Sequence, residues 1–231
     1  MADGAIYNRA YYAARRQCGT RVALWFYYRI ARRYVKNGSV LDYGCGSGRF
    51  LRYFNKKNYE TSGYDISPDA VDMAKENAVS EHLYSSREAI EDKTFDLICS
   101  IHVLEHIDDP LETLQFIRTL LKPQGILMYV VPNISGIGHT LKRHNWIGYG
   151  DPAHVSLYPA VKWIELTAKA GLKLLRTGTD GLWDVPYIDG IPLLIQKLMF
   201  YPAPAFQVIA GRLIIPRHWG ESLITIAKRD Y

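Results

Sequence analysis

Cysteine is scarce in this chain of 231 residues. The three cysteines, Cys18, Cys45 and Cys99, are widely spaced and odd in number, so they give neither a disulfide framework nor the close pairs of a metal-binding motif. The first residues also lack the apolar segment and cleavage site of a secretory signal. These absences favour a reducing compartment, and we expect a cytoplasmic protein.

Long apolar runs are also missing. A membrane-spanning helix needs about 20 consecutive apolar residues, whereas the most apolar stretch, residues 191–211, contains three prolines and a lysine. This composition argues against a spanning helix there. Peripheral contact between this stretch and the surface of a bilayer stays open.

Acidic residues are nearly absent from the first 36 positions, where eight Arg and Lys residues face the single Asp3. The local charge is therefore +7 in a chain whose total charge is +5. A basic segment of this kind can contact nucleic acid, anionic lipid or an acidic substrate. It can equally be a solvated helix face, and the charge alone does not choose among these.

The apolar pattern predicts strands that alternate with helices. A helical arm, residues 1–37 with a break at Gly19 and Thr20, precedes seven strands at 39–44, 61–66, 82–86, 95–102, 126–132, 172–177 and 221–229. Helices are predicted at 47–57, 67–78 and 159–170, and between "DDPLETL" and "LLKPQG". Because strands alternate with helices, we expect an α/β fold with a mostly parallel sheet covered on both faces.

Two segments interrupt this alternation. Residues 133–157 form a loop that is long enough to be a lid over a binding site, and the apolar segment 190–211 is an insertion before the last strand. No linker divides the chain. We therefore expect residues 38–231 to form a single domain, with residues 1–37 as its cap.

Three glycines at alternate positions follow the first strand in "VLDYGCGSGRF", residues 40–50. A strand, a glycine-rich turn and a helix start form a ligand cradle at the carboxyl edge of an α/β sheet, although the same motif also suits a tight packing turn. Dinucleotides favour the spacing G-x-G-x-x-G, whereas here the spacing is G-x-G-x-G. Asp42 precedes it, and a carboxylate there repels pyrophosphate but suits an ammonium group.

The second strand ends at Asp65, 17 residues after Gly48. An acid at this place can accept hydrogen bonds from both hydroxyls of a ribose, or it can cap the helix that begins at Pro68. Ile66 beside it is suited to cover an adenine. Together with Asp42, these features favour S-adenosylmethionine over a nicotinamide dinucleotide.

The chain resembles the class I S-adenosylmethionine-dependent methyltransferases, in their bacterial small-molecule branch. The matching pieces are "VLDYGCGSGRFL", "SGYDIS", "FDLICSIHVLEHIDDP" and "LLKPQGILMYVVPN". The resemblance implies a Rossmann-like, doubly wound sheet of seven strands with an antiparallel last strand. It implies that S-adenosylmethionine binds and leaves as S-adenosylhomocysteine. The residues implied for the donor are Asp42, Gly44, Gly46 and Gly48 for the methionine portion, Asp65 for the ribose, Glu88 and Ala89 for the adenine, and Ser100 to His102 beneath the methyl group.

Histidines supply the candidate bases. Removing a proton from an acceptor hydroxyl suits a histidine near neutral pH, and we predict His106 and His154 for this role, each with a structural hydrogen bond as the alternative. The segment with Trp146, Asp151 and His154 resembles a lid found in bacterial members, so Trp146 and Asp151 are predicted to contact the substrate. Some relatives are similar in holding a divalent metal with E-x-x-E-H. Here His102 replaces the first acid, and no metal is expected.

The sequence therefore predicts O-methylation of a small molecule or of a lipid- or saccharide-linked metabolite. Two alternatives stay open. An RNA methyltransferase would use the basic arm to follow phosphates, and a non-catalytic module would bind S-adenosylmethionine without transferring its methyl group.

Overall fold

The computed structural model describes residues 6–14, 21–55, 59–77 and 79–230. Cys18 and the predicted break at Gly19 and Thr20 lie outside the described residues. The strands are β1 (Gly38–Tyr43), β2 (Tyr59–Tyr64), β3 (His82–Tyr84), β4 (Phe95–Ile101), β5 (Leu121–Pro132), β6 (Leu172–Thr179) and β7 (Ser222–Arg229). The helices are α1 (Arg9–Ala14), α2 (Arg21–Tyr34), α3 (Arg52–Asn55), α4 (Pro68–Glu76), α5 (Pro110–Thr119), α6 (Ile137–Lys142), α7 (Ala160–Lys169), α8 (Leu193–Phe200) and α9 (Pro202–Ala210).

The seven strands form one sheet in the order β3-β2-β1-β4-β5-β7-β6. Neighbours from β3 to β5 pair in parallel, and β7 runs antiparallel to both β5 and β6. Six strands therefore share one direction and the last strand opposes them. The predicted fold class, a doubly wound sheet with an antiparallel last strand, is confirmed.

Successive residues of the central strands enter two different cores. Leu41, Ile98 and Leu127 pack with buried side chains of α5 and α7, while their neighbours in the chain pack with α2, α3 and α9 on the other face. Side chains alternate across a strand, so a strand that is buried on both faces is apolar throughout. Helices therefore cover both faces of the sheet, as the sequence predicts.

The helix after the glycines differs from its prediction at 47–57. Its first described residue is Arg52, because the chain before it makes a turn in which the Gly48 N–H donates to the Cys45 carbonyl at 2.8 Å. Gly48 has a φ of +75°, which lies outside the right-handed helical region. The prediction was wrong about the start of this helix.

The two interrupting segments contain short helices. Within 133–157 lie α6 and two 3₁₀ turns, Arg143–Asn145 and Ile147–Tyr149. The apolar insertion holds α8 and α9, which are bent by 43° relative to each other. Among the described residues, no single helix meets the length and hydropathy criteria for crossing a membrane, although this bent pair meets them when it is taken together.

Candidate active site

A cavity of about 1100 Å³ lies at the carboxyl ends of β1, β2 and β4. It joins the glycine loop and the acids Asp42 and Asp65 to three histidines, His102, His106 and His154. Ligand pockets usually measure about 300–1,000 Å³. This cavity therefore has room for a methyl donor and an acceptor side by side, at the edge where open α/β sheets bind ligands.

The glycines of the loop have different structural tasks. A Cβ atom on Gly44 would lie 2.2 Å from a methyl group of Val103, and one on Gly48 would lie 2.3 Å from a methyl group of Val79. Gly44 and Gly46 line the cavity, whereas Gly48 does not. Gly48 was predicted to hold the donor, and the structure instead shows it packing the loop against Val79.

Asp65 connects the loop to two helices. Its Oδ2 accepts from the Gly46 N–H at 2.8 Å and its Oδ1 from the Ser67 N–H at 3.0 Å. The Tyr12 hydroxyl, which belongs to α1, donates to the same carboxylate. Ser67 itself is the N-cap of α4 and accepts from the Ala70 N–H, so Asp65 supports the capping residue while it also lines the cavity.

Two buried acids give this end of the cavity a negative character. Burial, together with the charge of Asp65, raises the pKa of Asp42 well above its usual range. Burial also raises the pKa of Asp65, although the N–H groups of Ser67 and Gly46 oppose this shift. A cation bound between them would relieve the cost of keeping both acids ionised.

The other predicted donor residues are unequally placed. Ile66 and Glu88 line the cavity, so the structure brings them to the donor end. Ala89 is exposed and Ser100 is fully buried, and neither lines the cavity. Arg87 and Ser86 line it beside Glu88 instead, because the chain after the short strand β3 turns away before Ala89.

His102 stands at the carboxyl end of β4 with a φ of +55°, which is a strained backbone conformation for a residue with a side chain. Its Nδ1 lies 3.1 Å from Oε1 of the fully buried Glu105. A carboxylate only accepts hydrogen bonds, so Nδ1 carries the proton and Nε2 is left as an acceptor. Burial lowers the pKa of His102, but the hydrogen bond and charge of Glu105 outweigh it and the pKa is raised.

His106 and His154 are tied to the backbone of the lid. The Nδ1 of His106 lies 3.1 Å from the Ala153 carbonyl, and the Nδ1 of His154 lies 2.6 Å from the Gly148 carbonyl. Each ring therefore donates through Nδ1 and keeps Nε2 as an acceptor. Burial lowers the pKa of His106, and nearby His154 adds to this shift against the opposing charge of Glu105. The structural hydrogen bonds and a role as base are thus compatible.

A metal could be held by part of this cluster. One ligand atom from each of Glu105, His106 and His154 lies within 4.8 Å of the others. One carboxylate and two imidazoles suit zinc or a similar transition metal better than magnesium, which prefers oxygen ligands. His102 is not part of this group.

The predicted lid residues line the cavity while binding other parts of the chain. Trp146 is buried, and its Nε1 donates to Oε2 of Glu221 at 2.6 Å. Asp151 accepts from the Tyr11 hydroxyl at 2.9 Å. These bonds join the lid to β7 and to α1, so both side chains shape the wall of the cavity.

Several cavity residues were not predicted. Asp180 is half-buried beside Ser222, whose N–H donates to it at 2.9 Å, and the loss of solvation raises its pKa to about 6. Tyr12 and Glu221 also line the cavity. These residues come from chain segments far from the glycine loop and stand in no recognisable motif, so the sequence gives no local signal for them.

Comparisons with known proteins agree with this geometry. A family model described as "Methyltransferase domain" matches residues 12–177. The ubiquinone biosynthesis O-methyltransferase of Actinobacillus pleuropneumoniae is 29% identical over 132 residues, covering 52% of this chain and 54% of that protein. The enzyme of the same name from Coxiella burnetii is 32% identical over 106 residues, covering 43% and 45%. The chain spans about half the length of the curated relatives it matches.

Solved structures share the fold. A SAM-dependent methyltransferase from Archaeoglobus fulgidus superposes with a TM-score of 0.64 at 19% identity, covering 91% of this chain and 95% of that one. The plantazolicin methyltransferase BpumL, in complex with a triazolic desmethylPZN analog and SAH, gives a TM-score of 0.64 at 17% identity, covering 96% and 89%. At these identities the likeness concerns the fold.

Proposed function

The chain belongs to the methyltransferase-domain family and has the fold of class I S-adenosylmethionine-dependent methyltransferases, and on that premise we propose that it methylates an oxygen atom of an apolar small molecule. One observation carries the proposal. A single cavity joins the glycine loop and its two buried acids to three histidines. A donor site and a set of candidate bases therefore share one cavity.

The donor occupies the end of the cavity near Asp42 and Asp65. S-adenosylmethionine carries a sulfonium and an ammonium group and no phosphate, so its charge complements two buried carboxylates. The bare backbone at Gly44 and Gly46 lets the methionine portion approach closely. Residues 1–37 act as a cap and residues 133–157 as a lid, because the Tyr11 hydroxyl of the cap donates to Asp151 of the lid.

The acceptor occupies the other end, where the lining includes Phe26, Trp183 and Val208. Aromatic and aliphatic walls with a few polar groups are typical of sites for apolar ligands. The O-methyltransferase names of the curated relatives support an oxygen acceptor. We therefore expect an apolar molecule with a hydroxyl group.

The chemistry requires a base. The acceptor oxygen attacks the methyl carbon in line, the bond between that carbon and sulfur breaks, and the donor leaves as the neutral thioether S-adenosylhomocysteine. The acceptor proton passes to a histidine Nε2. His106 and His154 are the bases that the sequence predicts. We add His102 as the preferred base, and the contact with Glu105, which orients the ring and would stabilise the imidazolium that forms, supports this choice.

A pH profile tests this assignment. The base must be neutral, so the turnover rate rises as the pH passes its pKa. Glu105 raises the pKa of His102, so Glu105→Gln should move the acid limb of the kcat profile to lower pH. His102→Ala should lower kcat by about 10²–10⁴-fold with little change in the dissociation constant of the donor. A loss of this size in His106→Ala or His154→Ala, with His102→Ala near wild type, would overturn the choice of His102.

The acceptor class is tested with labelled S-adenosylmethionine and a panel of hydroxylated aromatic compounds, alcohols, amines and total RNA. Label in a hydroxylated compound supports the proposal. Label in RNA, or donor binding without transfer to any fraction of a cell extract, would contradict it. Activity that disappears after chelation and returns with zinc would reassign Glu105, His106 and His154 as metal ligands.

A further inference from the structure

The hairpin formed by α8 and α9 exposes large aliphatic side chains. Leu194 is 70% exposed, Leu198 is 69% exposed and Ile209 is 71% exposed. The same outer surface continues through Leu193, Ile195, Met199, Phe206 and Ile214, all of which are exposed. Soluble monomers rarely expose contiguous apolar patches of this kind, and larger patches mark interaction sites.

The inner side of the hairpin is polar. Gln196 and Gln207 are fully buried. The side chain of Gln196 bonds to the backbone at Tyr187, Ile188 and Ile191, and that of Gln207 bonds to the backbone at Thr179, Ile214 and Ile215. The two glutamine side chains, whose amide groups are fully hydrogen-bonded, thus face the protein, while the leucines face outward. This arrangement fixes the hairpin firmly and reverses the polarity expected of a surface in water.

The charged side chains within this surface have one sign. Residues 190–220 contain Lys197, Arg212 and Arg217 but no Asp or Glu. Helix α9 contacts α2, whose Arg29 donates to the Ile209 carbonyl at 2.9 Å. Residues 4–41, which include α2, also contain no Asp or Glu. The exposed Asp189 lies just before this segment, so the cationic bias belongs to the surface itself and not to everything around it. An apolar face whose own charged side chains are cations is complementary to an anionic lipid surface.

The dimensions indicate contact with the surface of a bilayer instead of a crossing. Each helix has eight or nine residues, or about 12–14 Å at the usual helical rise, whereas a hydrocarbon core measures about 30 Å. The buried glutamines also hold the hairpin against the domain. We propose that the outer face of α8 and α9 docks the protein onto an anionic bilayer, with its leucines in the interfacial layer and its lysine and arginines among the headgroups.

Docking also places the cavity close to the lipid. Tyr201 and Val208, at the bend and on the inner side of α9, line the cavity. A bilayer against the outer face would lie one helix away from the proposed acceptor end. This consequence rests on the proposed function, whereas the docking itself does not.

Co-sedimentation with vesicles tests the docking. The full chain should bind vesicles of 70% phosphatidylcholine and 30% phosphatidylglycerol, bind pure phosphatidylcholine more weakly, and lose affinity in high salt. Leu194→Glu combined with Leu198→Glu should reduce the partition coefficient by about tenfold or more. Val161→Glu is the matched control, because Val161 of α7 is 68% exposed outside the hairpin. It should bind like wild type.

The charged edge is tested separately by Lys197→Glu combined with Arg212→Glu, which should weaken binding to the anionic vesicles and abolish its salt dependence. Circular dichroism and donor titration confirm that each variant is folded. The proposal would be overturned if the variant with Leu194→Glu and Leu198→Glu bound anionic vesicles with wild-type affinity. It would also be overturned if the wild-type protein were a dimer that does not bind vesicles and the same leucine variant were a monomer, since the hairpin would then bind a second copy of the chain. If the protein bound vesicles but transferred no methyl group to any compound of the acceptor panel or fraction of a cell extract, the proposed function would be refuted and the docking would stand.

Discussion

Asp65 is the residue on which the donor site depends most. Its carboxylate accepts the N–H groups of Gly46 and Ser67 and is expected to accept the ribose hydroxyls as well. Asp65→Ala should weaken donor binding by about 1.5–3 kcal/mol, the range for hydrogen bonds to a charged group. Isothermal titration with S-adenosylhomocysteine measures this loss.

The control for this variant is Asp72→Ala, which removes an exposed carboxylate of α4 that pairs with Lys75. Its donor affinity should match that of wild type. Because Asp65 also accepts from the N–H of Ser67, the N-cap of α4, thermal unfolding of each variant separates a loss of binding from a loss of fold. Unchanged affinity in a folded Asp65→Ala protein would remove the ribose role.

At the scale of single residues, the sequence predicts the site where its signals are local. Asp42 lies near the end of β1, while Gly44, Gly46 and Asp65 follow strand ends, and the structure places all four at the cavity. Asp180 lies there too, but it follows β6 and reaches the cavity through the pairing of β6 with β7. The residues near Asp180 in the sequence contain no motif from which the pairing of β6 with β7 could be predicted.

Helix α1 is coupled to the donor site through Tyr12. A carboxylate offers about four lone-pair sites. Gly46, Ser67 and the Tyr12 hydroxyl already use three of those on Asp65. Two ribose hydroxyls need two sites, so one of the three donors has to leave when S-adenosylmethionine binds. We expect it to be the Tyr12 hydroxyl, because the other two are backbone N–H groups. Tyr12→Phe removes this competition and should strengthen donor binding by up to about tenfold.

Tyr11→Phe is the matched comparison for this prediction. It removes a hydroxyl of the same helix that donates to Asp151 and not to Asp65, so donor affinity should stay near that of wild type. Titration of both variants with S-adenosylhomocysteine decides the matter. Weaker binding in Tyr12→Phe would show that this hydroxyl assists the donor.

At the scale of elements, strands are predicted better than the segments that cover the site. The central parallel strands are buried on both faces and read as continuous apolar runs. The helix after the glycines begins late because Gly48, with its positive φ, turns the chain. The spacing G-x-G-x-G does not indicate the sign of φ at its glycines. In the insertion, the apolar residues are apparent, but the inward direction of Gln196 and Gln207 depends on backbone partners in other segments.

For the molecule as a whole, alternation of strands and helices is sufficient to predict the layered sheet, whereas the balance of charge inside the cavity is a property of the folded state. Burial raises the pKa values of Asp42, Asp65, Asp180 and Glu221. Each of these acids resists ionisation, so keeping them ionised costs stability at neutral pH. A cationic donor would recover part of that cost.

Asp180 allows this cost to be measured. Burial raises its pKa to about 6, above the value of about 3.9 in an unfolded chain. A raised pKa adds stability at low pH that is lost as the pH rises through the folded value. Between pH 5 and pH 7.5, wild type should therefore lose about 1–2 kcal/mol that Asp180→Asn retains. Asparagine keeps an oxygen for the Ser222 N–H.

Thermal unfolding at the two pH values should show this as a gain in melting temperature for Asp180→Asn that is larger at pH 7.5 than at pH 5, by roughly 2–8 °C. His102 lies close enough for its charge to favour ionised Asp180, so the comparison is repeated in a His102→Gln background, where the difference should persist. An equal change at both pH values would mean that Asp180 is ionised throughout this range. The cavity would then hold its negative charge without the cost that makes a cationic donor favourable.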